Sequence, residues 1–227
     1  MPVKLRDLDE TVLAVGRQKA GKSWWLRRYL WDRTRETGGY MLATDPNLGF
    51  MDDRSIPSRR YTSLQGARVG IKKWGGSVVH VLDKPIIIDQ GRDLAIELAA
   101  ASMAQAQNGR FAPVFYMIDE AVQSTSTTAK GMTDEWLDLI ARRRHFGVAL
   151  GMTMQSAYYA HRIVAGQATR IEVFPLQDPH DVQRLVALGL DPLLAEAIAD
   201  LEPRDHITIE CGKTTAVHIA PRKRQAR

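Results

Sequence analysis

Eight consecutive residues near the start of the chain have the types and spacing of a phosphate-binding loop. Segment 16–23 reads Gly-Arg-Gln-Lys-Ala-Gly-Lys-Ser, which fits the pattern G-x-x-x-x-G-K-S. The glycines of such a loop let backbone N–H groups turn towards phosphates, the lysine reaches the β and γ oxygens, and the serine hydroxyl completes a Mg²⁺ shell. The pattern predicts ATP and Mg²⁺ as cofactors, bound by Gly16, Arg17, Gln18, Lys19, Ala20, Gly21, Lys22 and Ser23.

The residues around this loop support a ligand-binding role. An apolar run of strand length, 11–15, precedes it, and a helix beginning at the loop would direct its positive end at the phosphates. The alternative is a glycine-rich turn without a ligand. A strand before the loop and a helix after it are the context that the phosphate-binding motif requires.

An acidic pair follows another apolar run. Asp119 and Glu120 come directly after segment 111–118, at the strand end where ligands gather in open α/β sheets. The arrangement is typical of a Walker B motif, in which Asp119 would hold the Mg²⁺ shell through water and Glu120 would orient and deprotonate the attacking water. We therefore expect hydrolysis rather than transfer to a metabolite. Capping of the following helix is the alternative for this pair.

Polar groups lie on both sides of the next predicted strand, 147–153. Gln155 follows it, and its amide could bond both the attacking water and a γ oxygen; a plain loop or helix N-terminal glutamine is the alternative. Before the strand, arginines at 142–144 end a predicted helix. They form a solvated face that stabilises the helix dipole, or they supply an arginine finger to a neighbouring subunit. The second hypothesis requires a ring.

The composition is that of a chain that can bury a substantial core. It has 227 residues, 44% of them hydrophobic, and a formal charge of +5, which is compatible with a polyanionic partner without requiring one. Cys211 is the only cysteine, which excludes a disulfide-stapled secreted fold. No apolar run approaches about 18 residues and no signal peptide is evident, so we expect a soluble protein without a transmembrane segment. We predict one domain, 1–220, and a basic tail, 221–227.

Apolar runs of strand length alternate with segments of helical periodicity. Strands are predicted at 39–44, 77–82, 113–118, 147–153 and 169–174, and helices at 91–107, 132–145, 178–187 and 191–200. Strands at 206–210 and 214–219 suggest a terminal hairpin around Gly212, and 45–63 and 123–131 are predicted irregular loops. The alternation favours an α/β fold: a RecA-like P-loop NTPase with a mostly parallel central sheet flanked by helices and a short C-terminal β-hairpin.

Three of these segments together resemble the FtsK–HerA superfamily of ring-forming, DNA-pumping ATPases. They are the loop 16–23, the pair Asp119-Glu120, and the segment from Arg144-x-x-Gly147 to Thr153-x-Gln155. Smaller matches are Asp45-Pro46, the run 168–171 and the run 201–203. After the last of these, Arg204 stands where the family commonly has glycine. The resemblance covers the chain from about residue 11 to 220.

The resemblance implies roles for the matching residues. Lys22, Ser23, Asp119 and Glu120 would take the family's nucleotide and metal roles, with Ser23 and Asp119 at the metal. Gln155 would sense the γ-phosphate, and Arg144 would be the finger that acts in a neighbouring subunit. The implied catalytic residues are therefore Lys22, Glu120, Gln155 and Arg144. Arg170 is a second finger candidate, for which an ion pair with a surface acid is the alternative.

Within the superfamily, a bare motor of this length is most similar to the genome-packaging ATPases of tailless icosahedral viruses with an internal membrane, the tectivirus-like phages. This resemblance implies an ATPase coupled to translocation of double-stranded DNA into a capsid. It also implies a ring homo-oligomer, hexamer or pentamer, that contacts viral vertex or membrane proteins. The expected location is the host cytoplasm or the packaging vertex of the virion.

Contacts to DNA should involve phosphates rather than bases, because such a motor moves along any sequence. The loop 123–131, with its hydroxyls and Lys130, is one candidate, and a flexible linker is the alternative. The tail is another candidate through Arg222, Lys223 and Arg224, although an unstructured solubilising end explains it equally. Trp24 and Trp25, directly after Ser23, are expected to pack between helix and sheet rather than to stack on a base.

Three other functions remain open on the sequence. A conjugative or filamentous-phage-type DNA transfer or extrusion ATPase belongs to the same mechanical group, but such motors usually carry membrane anchors. A small-molecule kinase uses the same phosphate-binding loop, but no arginine-bearing lid pattern is evident. A nucleotide-gated assembly protein would bind ATP as a switch and hydrolyse it slowly.

Overall fold

The computed structural model describes residues 2–4, 8–45, 50, 53–83, 86, 88–121, 133–160 and 162–219. The segments predicted to contact DNA, the loop 123–131 with Lys130 and the tail 221–227 with Arg222, Lys223 and Arg224, lie outside these residues. No helix in the described ranges combines the length and the apolar character that crossing a membrane requires.

Strands and helices alternate along most of the described chain. The strands are β1 (Val3–Lys4), β2 (Thr11–Val15), β3 (Tyr40–Thr44), β4 (Ser58–Tyr61), β5 (Val79–Leu82), β6 (Arg110–Phe111), β7 (Val114–Ile118), β8 (Val148–Met154), β9 (Arg170–Val173), β10 (His206–Glu210) and β11 (Lys213–His218). The α-helices are α1 (Lys22–Thr37), α2 (Leu64–Trp74), α3 (Ile88–Ala104), α4 (Asp134–Phe146), α5 (Arg162–Gln167), α6 (Pro179–Ala187) and α7 (Pro192–Ala195). Short 3₁₀ turns span Gly75–Ser77 and Glu196–Asp200.

One nine-stranded sheet has the order β11-β10-β9-β2-β8-β7-β3-β5-β4. From β9 to β4, each pair of neighbouring strands is parallel. At the other end, β10 pairs antiparallel with both β9 and β11, and β1 and β6 form a separate two-stranded sheet. The predicted α/β fold, with a mostly parallel central sheet and a C-terminal hairpin, is confirmed.

The central strands are buried on both faces of the sheet. Val12 of β2 belongs to the same buried cluster as Leu26 of α1. Its neighbour Leu13 belongs to the opposite cluster, with Leu94 of α3 and Leu139 of α4. Strands covered on both faces read as continuous apolar runs, which is why the apolar runs of the sequence located them.

The prediction that 45–63 is an irregular loop was wrong for its last part, which contains β4. This strand reads Ser-Arg-Arg-Tyr and lies at the edge of the sheet, where it pairs with β5. Polar side chains are common on edge strands because one side of the strand remains open to water. Arg60 of β4 also bonds the carboxylate of Asp83, which follows β5.

Two predicted helices have different limits from those expected. The helix predicted at 91–107 is α3, which ends at Ala104. Asn108 and Gly109 have positive φ, as expected, but in a turn that joins Gln107 to Arg110 rather than at the helix end. The helix predicted at 191–200 is α7 followed by a 3₁₀ turn.

The indole of Trp136 provides a test of this core. Trp136 of α4 is 1% exposed, its Nε1 donates to Asp89 Oδ1 at 2.6 Å, and its ring lies 6.4 Å from that of Tyr116. Trp136→Ala removes these contacts and leaves a cavity, so it should lower the free energy of unfolding by about 3–5 kcal/mol. Urea unfolding at equilibrium measures this loss.

Trp74→Ala is the matched control, because Trp74 is 37% exposed. Its ring contacts the side chains of Arg59 and Lys73 at 4.8 and 5.0 Å, and losing such exposed contacts should cost about 1 kcal/mol or less. Equal losses for the two variants would contradict the packing of α4 described here.

Candidate functional site

The loop between β2 and α1 has the backbone shape of a phosphate-binding turn. Gly21 has φ 106° and Lys19 has φ 63°, so both adopt left-handed backbone. A Cβ on Gly16 would lie 2.6 Å from Cβ of Phe174, the residue after β9. The first glycine of the motif is therefore required by a close approach, and the second by its backbone conformation.

Several backbone amides of this loop are left for an anion. Within the described residues, no protein acceptor bonds the N–H groups of Gln18, Lys19, Gly21, Lys22 and Ser23. The loop leads into the 16-residue helix α1, whose first turn carries a positive partial charge. Free amides at the N-terminus of a long helix are the features that bind phosphate.

Lys22 lies across the loop with its ammonium group buried. Its Nζ donates to the carbonyl oxygens of Gly16 and Arg17 at 2.7 and 2.8 Å, and the residue is 8% exposed. Burial lowers the pKa of the Lys22 ammonium, while Asp119 and Glu120 act to raise it. A polyphosphate would act in the same direction as these carboxylates and favour the charged form. Phosphate oxygens would be alternative acceptors for the ammonium group, in place of the carbonyl oxygens of Gly16 and Arg17.

Ser23, Asp119 and Thr153 meet at one carboxylate oxygen. The hydroxyls of Ser23 and Thr153 both donate to Asp119 Oδ1 at 2.6 Å, and Asp119 is 4% exposed. A serine hydroxyl and a carboxylate beside phosphate-binding amides are oxygen ligands of the kind that Mg²⁺ takes together with phosphates. The donor set at this point therefore fits a Mg²⁺ ion held by Ser23 and Asp119.

Glu120 and Gln155 lie at the same edge of the sheet. Glu120 has φ 57°, which is uncommon for a residue with a side chain, and its N–H donates to Thr153 Oγ1 at 2.9 Å. Gln155 is exposed and directly follows β8, whose last carbonyl accepts from the N–H of Gly16 at 3.2 Å. The strand order β2-β8-β7 thus brings the loop, the acidic pair and the glutamine together.

The three arginines at the end of α4 have different surroundings. Arg142 bonds Asp138 one turn earlier in the helix. Arg143 is 5% exposed and bonds Asp9 and a backbone carbonyl of its own helix. Arg144 is exposed, and no carboxylate of the described residues lies within salt-bridge distance of it. Of these three guanidinium groups, that of Arg144 is available to another molecule.

Arg144 and the phosphate-binding loop lie at opposite ends of the parallel strands: Arg144 precedes β8, whereas the loop follows β2. Arg144 is in the last turn of α4, which leads through Gly147 into β8, and Gln155 follows the far end of β8. The seven residues of β8 span roughly 23 Å, which is several times the reach of an arginine side chain. Arg144 therefore cannot contact the loop of its own chain.

Arg170, the second finger candidate, is held inside its own chain. Its Nε donates to Glu172, and its guanidinium carbon lies 5.1 Å from the ring centroid of Tyr29 and 5.6 Å from that of Trp25. Glu172 is fully buried, and burial raises the pKa of its carboxyl while Arg170 acts to lower it. The partner of Arg170 is thus an interior carboxylate, not the surface acid of the alternative interpretation, and these contacts argue against a finger role.

Sequence reasoning gave no role to Thr153, although it bonds the carboxylate of Asp119 and the backbone of Glu120. Its hydroxyl donates to Asp119 and accepts from the N–H of Glu120. The signal available in the sequence is a single threonine within the otherwise apolar segment 146–154. A polar residue on a strand that is buried along its length needs a hydrogen-bond partner.

Thr153→Val tests this arrangement. The valine has a similar shape but leaves the amide of Glu120 and the buried carboxylate of Asp119 each without one partner, so the free energy of unfolding should fall by about 1–3 kcal/mol. Thr153→Ser keeps the hydroxyl, removes one methyl group, and should cost about 1 kcal/mol or less. Urea unfolding compares the two, and a valine variant as stable as the serine variant would refute the role given to Thr153.

Comparison with known proteins gives matches among solved structures. No protein-family model and no curated protein matches the chain. The genome packaging NTPase B204 from Sulfolobus turreted icosahedral virus 2, in complex with sulfate, has a TM-score of 0.72 and 20% identity, covering 92% of this chain and 96% of that chain. Its complex with ATP-gammaS has a TM-score of 0.71 at the same identity and coverage.

A conjugation protein is also similar, but less so. The pCW3 conjugation coupling protein TcpA, in its monomer form with ATPgS, has a TM-score of 0.55 and 14% identity, covering 91% of this chain and 59% of that chain. The fold expected from the sequence motifs is thus confirmed: this chain has the fold of the genome packaging NTPase B204.

Proposed function

We propose that this chain is an ATP-hydrolysing motor subunit that translocates double-stranded DNA into a viral capsid. The observation that carries the proposal is the convergence of Lys22, Ser23, Asp119 and Glu120 at one sheet edge, in a chain that matches B204 over 96% of that protein. Hydrolysis of ATP at such a site supplies free energy, but the site does not specify the cargo, that is, the molecule that is moved. The cargo is proposed from the likeness to B204, which is a genome packaging NTPase.

The chain's own residues account for each part of ATP hydrolysis. The free amides of the loop and the Lys22 ammonium would hold the phosphates, and Glu120 would accept the proton of the attacking water. Gln155 would bond that water and a γ oxygen. A Mg²⁺ ion bound at Ser23 and Asp119 would neutralise charge on the β and γ oxygens.

Because of Arg144, we propose that the motor acts as an oligomer. The guanidinium of Arg144 is exposed and lies roughly one strand length from its own loop. In a ring of head-to-tail subunits, this edge of one subunit would face the phosphate-binding edge of the next. There the guanidinium would stabilise charge on the transferring phosphoryl group.

The remaining partners are part of the same proposal. Double-stranded DNA would be held through its phosphates, with the loop 123–131 and the basic tail as the candidate contacts. The ring would be a hexamer or a pentamer and would bind viral vertex or membrane proteins. It would be located at the packaging vertex of the virion or in the host cytoplasm. The single domain 1–220 with a tail remains a prediction.

A DNA transfer ATPase of the conjugative kind is the second candidate, since TcpA shares the fold. The chain covers 59% of TcpA but 96% of B204, so packaging is favoured. A small-molecule kinase would need an acceptor pocket beside the γ-phosphate, whereas in the proposed mechanism Glu120 would activate water.

Glu120→Gln tests the proposed chemistry. The amide cannot accept a proton, so the turnover number for ATP should fall by about 10²- to 10⁴-fold, while ATP affinity changes little because Lys22 and the loop amides are intact. Phosphate release, with and without added duplex DNA, measures turnover. The exposed Glu196 provides the control Glu196→Gln, which should hydrolyse ATP like the wild type.

Unchanged turnover in Glu120→Gln would contradict the assignment of Glu120 as the base. Wild-type turnover that needs a small-molecule acceptor and ignores duplex DNA at low ionic strength would favour a kinase. A variant that has lost turnover but whose ATP-dependent assembly is normal would favour a nucleotide-gated assembly protein.

Mixing two inactive variants tests whether Arg144 acts in a neighbouring subunit. Arg144→Ala should lose about 10³-fold or more in turnover if it is a finger. Mixed with Glu120→Gln, it should regain activity above either variant alone, because some sites then combine an intact Glu120 with a neighbour's intact Arg144. Arg142→Ala, whose residue bonds Asp138 in its own helix, is the control and should remain active.

Two results would argue against Arg144 as the finger. One is a mixture no more active than its components. The other is full DNA-stimulated turnover in Arg144→Ala together with its loss in folded Arg143 and Arg170 variants.

A further inference from the structure

The turn before β10 touches the phosphate-binding loop through Arg204. The N–H of Arg204 donates to the carbonyl oxygen of Ala20 at 2.8 Å. A Cβ on Gly21 would lie 3.1 Å from Cγ of Arg204. Arg204 has φ 81°, a left-handed conformation that costs free energy in any residue with a side chain. The position would be relaxed with glycine, yet this chain has arginine there.

The side chain of Arg204 lies against an exposed tryptophan. Its guanidinium carbon is 5.0 Å from the ring centroid of Trp24, and that of Arg28 is 4.8 Å away. Trp24 remains 36% exposed, so the expectation that it packs between helix and sheet was wrong. Arg28 also donates to Ser55, whereas no carboxylate of the described residues lies within salt-bridge distance of the exposed Arg204.

The strand order determines which end of a bound nucleotide meets this pair. The groups placed to act on the γ-phosphate, Asp119 after β7 and Gln155 after β8, lie on one side of β2. Strands β9 and β10 lie on the other side of β2. A triphosphate that runs along the loop with its γ-phosphate at Asp119 therefore directs its nucleoside towards the β9–β10 side, where Arg204 lies.

We propose that Arg204 and Trp24 form the nucleoside-binding surface of this ATPase, with the base stacked against them. The inference rests on the proposed function, because it requires a nucleotide in the loop 16–23. A planar guanidinium and an indole both stack on base π-faces. An exposed arginine kept in a costly backbone conformation beside a ligand loop is typical of a side chain retained for function.

Arg204→Gly separates the binding role from a structural one. Glycine adopts φ near 81° freely, so the melting temperature should stay the same or rise. Loss of the stacking partner should weaken Mg·ATP binding about tenfold. Inorganic tripolyphosphate with Mg²⁺, which has no nucleoside, should bind the variant and the wild type equally. Isothermal titration calorimetry measures both ligands.

Three further variants complete the experiment. Cys211→Gly is the control for backbone relief, because Cys211 also has positive φ but lies beyond the far end of β10; its ATP affinity should be unchanged. Trp24→Ala should lose ATP affinity but not tripolyphosphate affinity. Arg204→Lys keeps the charge and the backbone strain without the planar group, and should lose most of the affinity that Arg204→Gly loses.

Different binding results would refute base stacking by Arg204 and the proposed function itself. Unchanged ATP affinity in Arg204→Gly, equal losses for ATP and tripolyphosphate, or wild-type affinity in Arg204→Lys would each refute base stacking by Arg204. If Lys22→Ala binds both ligands as tightly as the wild type, or if the wild type binds neither, the proposed function itself fails. That result differs from a loss of ATP affinity with unchanged tripolyphosphate affinity, which concerns only the contacts of the nucleoside.

Discussion

The parallel alignment of β8 between β2 and β7 is the constraint on which the candidate site depends. It places the ends of three strands side by side, so that a loop, an acidic pair and a glutamine from distant parts of the sequence converge. At the centre of this edge, the hydroxyl of Thr153 bonds Asp119 and the amide of Glu120. One buried hydroxyl thus holds the carboxylate of Asp119 and the backbone of Glu120 in the absence of a ligand, which is a form of preorganisation.

The same strand separates the site from the arginine proposed to complete it. A residue that precedes β8 and a residue that follows it lie at opposite ends of this seven-residue strand. An ATPase built on this sheet can use Arg144 only by placing two chains edge to edge. The oligomer would then be part of the chemistry, because each site would lack its charge-stabilising group in a lone subunit.

The strands that follow β8 in the chain support the loop 16–23 from the other side of the sheet. Phe174, after β9, packs so closely on Gly16 that no Cβ fits between them, and its ring lies 5.2 Å from that of His206 in β10. Beneath these rings, Glu172 is buried with Arg170 and accepts from Thr208 at 2.9 Å. The hydrogen bond between Thr208 and Glu172 links β10 to β9, so the last strands of the sheet help to position the loop 16–23.

The sequence by itself determined the local features: the phosphate-binding motif, the acidic pair after an apolar strand, and most of the central strands, because strands buried on both faces must be continuously apolar. Edge strand β4 escaped prediction because one side of it remains open to water and its residues can be polar. Only the tertiary structure decided how three adjacent arginines differ. Arg142 pairs within its helix, Arg143 pairs with the distant Asp9, and Arg144 has no carboxylate partner among the described residues. These roles, like the contact of Arg204 with the loop, depend on which strands lie side by side, and that order is set by packing of the whole chain rather than by any local pattern.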